Sequence, residues 1–318
     1  MRRLNLSLPS LVLALSILSA CARSAPPPAS PPPLDDVEAV SVFGEPLVAP
    51  ELPPEVRSDR EAKLAEAKAD AEARPDDPEA LIWLGRRTAY LGRYREAIEI
   101  FSRGIARYPG DARFLRHRGH RYISIRRFDL AEADLEKAAR LVAGQPDQVE
   151  PDGLTNAAGI PISTLQSNIW YHLGLARYLQ GDFAGALEAY RACLEVAKNP
   201  DLQVSTRQWL YLTLRRLGQD AEAAQLLEPV RLDMEVLENQ AYHKLLLMER
   251  GEIPADSLLA AQNGVDPVVG YGVGAWYLAE GKKEEAVQIF RQVVETGQWS
   301  AFGAIAAEVD LHRLGEAP

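Results

Sequence analysis

The chain is 318 residues long, 47% hydrophobic and 25% charged, with a formal net charge of −10 and a pI near 5.2. That composition is ordinary for a folded protein. The acidic balance excludes a general nucleic-acid binder, whose basic face must replace counterions on phosphates. Two cysteines cannot build a disulfide framework. The sequence holds no glycine-rich phosphate loop, Cys-x-x-Cys pair or His-Glu-x-x-His motif, and no cofactor is expected.

Arg2 and Arg3 open the chain, and Leu11 to Leu18 is an apolar run too short to cross a bilayer as a mature helix. Leu18-Ser19-Ala20-Cys21 follows directly and resembles the bacterial lipoprotein box. The resemblance implies that residues 1–20 are a signal peptide and that cleavage precedes Cys21. Its thiol and its new amine would then be acylated, and two or more acyl chains hold a protein stably at a membrane. By the same resemblance, Ala22 in place of Asp favours an outer-membrane anchor facing the periplasm of a bacterial envelope. Residues 21–56 carry Pro26-Pro27-Pro28, Pro31-Pro32-Pro33, Pro46, Pro50, Pro53 and Pro54. This tract is expected to be a semi-rigid polyproline tether rising about 3.1 Å per residue, with neither helix nor strand.

The folded part is expected over residues 57–318. Ser58–Ala73 is rich in Ala, Glu and Lys, which favours a helix capped by Ser58 or Asp59. Two helical pairs follow, at Pro78–Pro109 and Ala112–Leu141. In them Gly85 and Gly119, like Ala97 and Ala131, lie 34 residues apart. The spacing then breaks at residues 142–165, a stretch of prolines, glycines and few apolar anchors. Long connections of this kind are usually functional or disordered, and the part from Gly153 to Leu165, which is not highly charged, is expected to lie ordered against the array.

The best-formed pair spans Trp170 to Pro200. Its Trp170, Leu173, Gly174, Tyr178, Gly181, Phe183, Ala186, Tyr190 and Pro200 resemble the tetratricopeptide repeat, with Cys193 in place of an alanine. A fourth copy runs from Val204 to Val230, a degenerate one around Gly251, and a last from Pro267. Ser300–Leu314 gives one more amphipathic helix, expected to close the apolar end. The resemblance implies an all-α, right-handed helical solenoid, stabilised by stacking of neighbouring repeats. Cys193 reads as a buried small residue.

His117 and His120 stand i, i+3, but Arg116, Arg118 and Arg121 surround them and disfavour a metal ion. No catalytic pairing stands out, so a non-catalytic role is expected. The tetratricopeptide resemblance implies a concave groove lined by the first helix of each repeat and a protein partner with an extended or acidic segment. Carried onto this sequence, the stripe is Arg86 and Tyr90, then Arg113, Arg116 and His120. Asn168, Tyr171 and Leu175 follow, then Gln208, Arg215 and Arg216. Arg86, Arg116, His120, Tyr171, Gln208 and Arg215 are the groove candidates, since arginine forks suit carboxylates and tyrosine gives stiff contact area. The alternative is a small-ligand or glycan pocket, roofed by residues 142–165 over Trp170, Tyr171 and His172.

Overall fold

The computed structural model describes residues 36–318 apart from 152–155, 157 and 261–264. The signal segment, Cys21 and the first part of the tether lie outside the described residues.

The helical pairs form where the repeat spacing places them: α1 (Pro54–Ala73), α2 (Pro78–Tyr90), α3 (Tyr94–Arg107), α4 (Ala112–Ser124), α5 (Phe128–Val142), α6 (Leu165–Gln180) and α7 (Phe183–Val196). They continue as α8 (Pro200–Arg216), α9 (Asp220–Leu227), α10 (Gln240–Glu249), α11 (Ala255–Ala260), α12 (Pro267–Ala279), α13 (Lys283–Glu295) and α14 (Phe302–Leu314). The array is an all-α solenoid. Among the described residues no helix is long and apolar enough to cross a membrane.

One contact recurs through the pairs. A Cβ placed on Gly85, Gly119, Gly174 or Gly274 would stand 2.4–2.8 Å from the side chain sixteen residues on, respectively Phe101, Leu135, Tyr190 and Phe290. The missing side chain lets the two helices of a pair close on one large residue, which fills the space and excludes voids. Cys193 is fully buried, with its thiol near the Ser167 carbonyl and the Thr206 hydroxyl. Burial pushes its pKa up to about 12.

Three features depart from the sequence reading. The end of the proline-rich tether is structured. β1 (Val37–Val40) pairs antiparallel with β2 (Pro46–Val48), burying Val37 and Ala39. Alternate small apolar residues suit a half-buried strand, and Pro46 is tolerated because its strand is an edge. The first helix starts at Pro54 rather than Ser58, because proline is favoured in the first helical turn.

The third departure is α14. A helix that only capped the stack would keep a wet face. Every residue from Gly303 to Leu311 is buried instead, the mark of a helix surrounded on all sides. Besides packing on α12 and α13, it reaches back to early repeats. Arg126, in the α4–α5 turn, pairs with Glu308, and Arg216 at the end of α8 pairs with Asp310. Arg313 donates to the carbonyls of Tyr178 and Leu179 at the end of α6. The β-hairpin joins the same cluster, through Val42 N–H to Glu308 at 2.7 Å and Trp299 Nε1 to the Val48 carbonyl at 2.8 Å. The superhelix is therefore closed by its own last helix, and the groove is shorter than an open array would offer.

Candidate functional site

What remains of the concave face is a cavity of about 370 Å³ between α2, α4, α6, the start of α8 and α10, and residues 162–163. Phe302, at the start of α14, also lines it. The volume lies in the range of small-ligand sites.

Of the six groove candidates, four line this cavity together: Arg86, Arg116, His120 and Tyr171. Two do not. Gln208 is 1% exposed, with its amide donating to Glu249 at 2.7 Å. The degenerate α10 packs over α8 there and covers the stripe. Arg215 is held by Asp220 and Glu280, each at 2.8 Å, away from the cavity. Among the other stripe positions, Leu175 is fully buried and Arg113 is occupied by Asp111 and Glu79.

The segment after α5 reaches the cavity as well. Val149 bridges Thr164, and Glu150 N–H donates to the Ser163 carbonyl at 3.0 Å. This places the Glu150 carboxylate, 6% exposed, 2.7 Å from Arg116 and 2.6 Å from the Asn168 amide. Arg86 donates to the Pro151 carbonyl at 2.8 Å. Asn199 secures the far end of the segment through the Ile162 carbonyl at 2.7 Å. Ile162 and Ser163 of this segment line the cavity, and Asn199 and Asn168 bond residues at its two ends.

Satisfaction inside the site is incomplete. Arg116 Nε and Glu150 Oε1 are buried with no hydrogen-bond partner. Arg121, one turn on from His117, also lines the cavity. It sits over the Tyr94 ring at 5.2 Å, and no carboxylate pairs with it among the described residues. Burial lowers the pKa of Arg116 and of Arg121, with the neighbouring guanidiniums adding to the effect.

The three histidines here are neutral. His172 Nδ1 lies 2.5 Å from the Asn168 carbonyl, which can only accept, so that nitrogen carries the proton. Burial first, then Arg116, brings the His172 pKa down to about 3. Burial and nearby arginines also hold His117 and His120 well below the ordinary value. His117 Nδ1 accepts from Arg116 at 2.9 Å, which leaves its proton on Nε2. The His120 and His172 rings lie 4.3 Å apart, with Phe302 5.2 Å from His120. No group of three metal-ligating side chains occurs among the described residues.

Arg121, Glu150, Tyr242 and Phe302 were not singled out by sequence. Arg121 adjoins the stripe residue His120 in sequence, whereas Tyr242 and Phe302 reach the cavity from helices far along the chain.

Residues 84–146 and 167–200 each match a model of the tetratricopeptide repeat, and the described residues form a helical array of that kind. No curated protein matches the chain. Among solved structures, similarity extends to a tetratricopeptide repeat protein from Parabacteroides merdae ATCC 43184, at 15% identity over 79% of this chain and 93% of that one, TM-score 0.47. It extends also to YrrB, described as a TPR protein with an unusual peptide-binding site, at 14% identity over 72% and 91% of the two chains, TM-score 0.42.

Proposed function

We propose that the protein is a non-catalytic scaffold of the bacterial cell envelope, anchored by lipid at Cys21, facing the periplasm from the outer membrane. It holds a segment of a partner protein across the part of the concave face that α14 leaves open. The observation that carries this reading is the rim of the cavity. Ile160 and Leu237 are 54% and 45% exposed, and one amide, Asn156, bonds both the Ile160 carbonyl and Glu238. Two exposed apolar residues are thus linked through one amide, beside Ile162 and Glu238 of the cavity lining. Exposed apolar residues at the edge of a polar concavity suit protein docking.

The test is photocrosslinking in cells from a photoreactive residue at position 160, with metabolic labelling by a radiolabelled fatty acid. One dominant protein adduct, lost in Leu237→Glu, is expected, together with label that disappears in Cys21→Ala. Adducts no different from those made at Arg140, on the outside of α5, would refute the docking surface. Absence of label would refute the anchor.

A second reading concerns the cavity beneath the rim. Its volume of about 370 Å³ and its lining by Phe302, Ile162 and Ser163 suit a compact ligand, so a small molecule held there is the alternative.

A further inference from the structure

Below the rim the charges do not balance. Arg86, Arg116 and Arg121 face the cavity. Glu150 pairs with Arg116, and Arg86 is engaged by the Pro151 carbonyl and the Tyr90 hydroxyl. His117, His120 and His172 are neutral and contribute no charge. One guanidinium is left over. Arg121 is that group: it has an aromatic face beneath it and no carboxylate among the described residues.

A partly buried guanidinium is costly unless paired. Tyr94 supplies a cation–π contact, which offsets part of that cost. The orphaned Nε of Arg116 is a buried donor without an acceptor. Flat apolar rings, Tyr171, Tyr242 and Phe302, line the remainder, and the cavity volume of about 370 Å³ admits a molecule of modest size.

We infer that this cavity is a binding site for a small organic monoanion: a carboxylate at Arg121 and the free edge of Arg116, joined to a flat apolar body packed on Tyr171 and Phe302. The inference rests on the second reading of the cavity and adds its chemistry. A dianion fits less well, because Glu150 already sits on Arg116 and Arg86 is engaged by the Pro151 carbonyl and the Tyr90 hydroxyl.

The test uses the full chain in detergent micelles, titrated calorimetrically with benzoate, phenylacetate and 3-phenylpropionate, with their three amides, and with inorganic phosphate. At least one of the acids should bind with Kd of about 1 mM or tighter, a modest affinity for a ligand of this size. Its amide and phosphate should bind at least ten-fold more weakly. Arg121→Met should weaken the acid at least ten-fold while raising the melting temperature of the empty protein, since an unpaired, partly buried charge is removed. Arg121→Lys should keep part of the binding. Equal binding of acid and amide would overturn the anion assignment and leave the cavity a ligand pocket. Failure of every probe would overturn both the assignment and the pocket. A lower melting temperature in Arg121→Met would show that Arg121 is structural and would overturn the inference.

Discussion

Arg126 and Glu308 lie 182 positions apart and meet in an ion pair at 2.5 Å whose side chains are 4% and 6% exposed. Arg126 has φ of 64°, in the left-handed region, and no other described residue except glycine has positive φ. The corresponding turns elsewhere use Gly92, Gly181, Gly218, Gly251 and Gly281. The α4–α5 turn keeps an arginine because its guanidinium also bonds the carbonyls of Ser124 and Trp299. A strained backbone residue held by tertiary contacts is a place to look for function, and here that function is closing the array.

Replacing Arg126 by glycine should therefore destabilise the protein although it removes backbone strain. Relief of the left-handed conformation returns about 1 kcal/mol. Stranding a buried carboxylate costs about 3–5 kcal/mol. Urea unfolding should show a net loss, partly recovered in Arg126→Gly/Glu308→Gln. A single variant as stable as the parent would mean the pair contributes nothing to closure.

Gly303 tests the position of α14 by a different route. A Cβ there would stand 2.0 Å from the Pro267 carbonyl oxygen, a backbone atom that cannot rotate away. Gly303→Ala should push α14 off α12, with a loss of at least 1–3 kcal/mol typical of overpacking. Limited proteolysis should then cut near residues 296–301, where the parent is protected. Unchanged melting and cutting would contradict the packing.

The buried histidines make stability depend on pH. Unfolded imidazoles take up protons near pH 6.5, whereas folded His172 does so only at about 3. Between these values the unfolded state binds more protons, so stability is complete above pH 6.5 and falls as pH is lowered. His172 alone gives a slope approaching about 1.4 kcal/mol per pH unit, and His117 and His120 add in the same direction. Unfolding at pH 7.5, 6.5 and 5.5 should follow this fall, and His172→Gln should flatten it. A flat profile in the parent would rule out a neutral buried trio.

Glu249 carries the opposite sign. Burial holds its pKa well above the usual carboxylate range, with Gln208 and Arg215 opposing. The folded carboxyl keeps a proton that the unfolded one releases, so its contribution is full at low pH and lost as pH rises. Glu249→Gln should leave stability near pH 4 unchanged and raise the melting temperature at pH 8. A lower value at pH 8 would show that the ionised carboxylate is favoured in place.

The helix pairs were legible in the sequence because each rests on local spacing, a glycine and a large residue sixteen positions apart. Four cavity residues were legible for a related reason. Arg86, Arg116, His120 and Tyr171 sit on first helices in well-formed repeats, where helical spacing fixes the face. Gln208 and Arg215 were misplaced because α10 and Glu280 cover α8, which its own spacing cannot reveal. The hairpin at 37–48 was hidden by the prolines around it. The burial of α14 was hidden because Arg126, Arg216 and the carbonyls of α6 meet it across 94–182 positions of chain.

A stack of repeats in which each touches only its neighbours frays from its ends and tolerates gain or loss of a unit. This chain has given up that freedom. Glu308 and Asp310 bind turns from the second and fourth helical pairs, and the hairpin before the first helix grips the same C-terminal region. Adding or deleting one pair would throw those partners out of register. The number of repeats is thus fixed by geometry, and unfolding should run as one cooperative event rather than peel inward from either terminus.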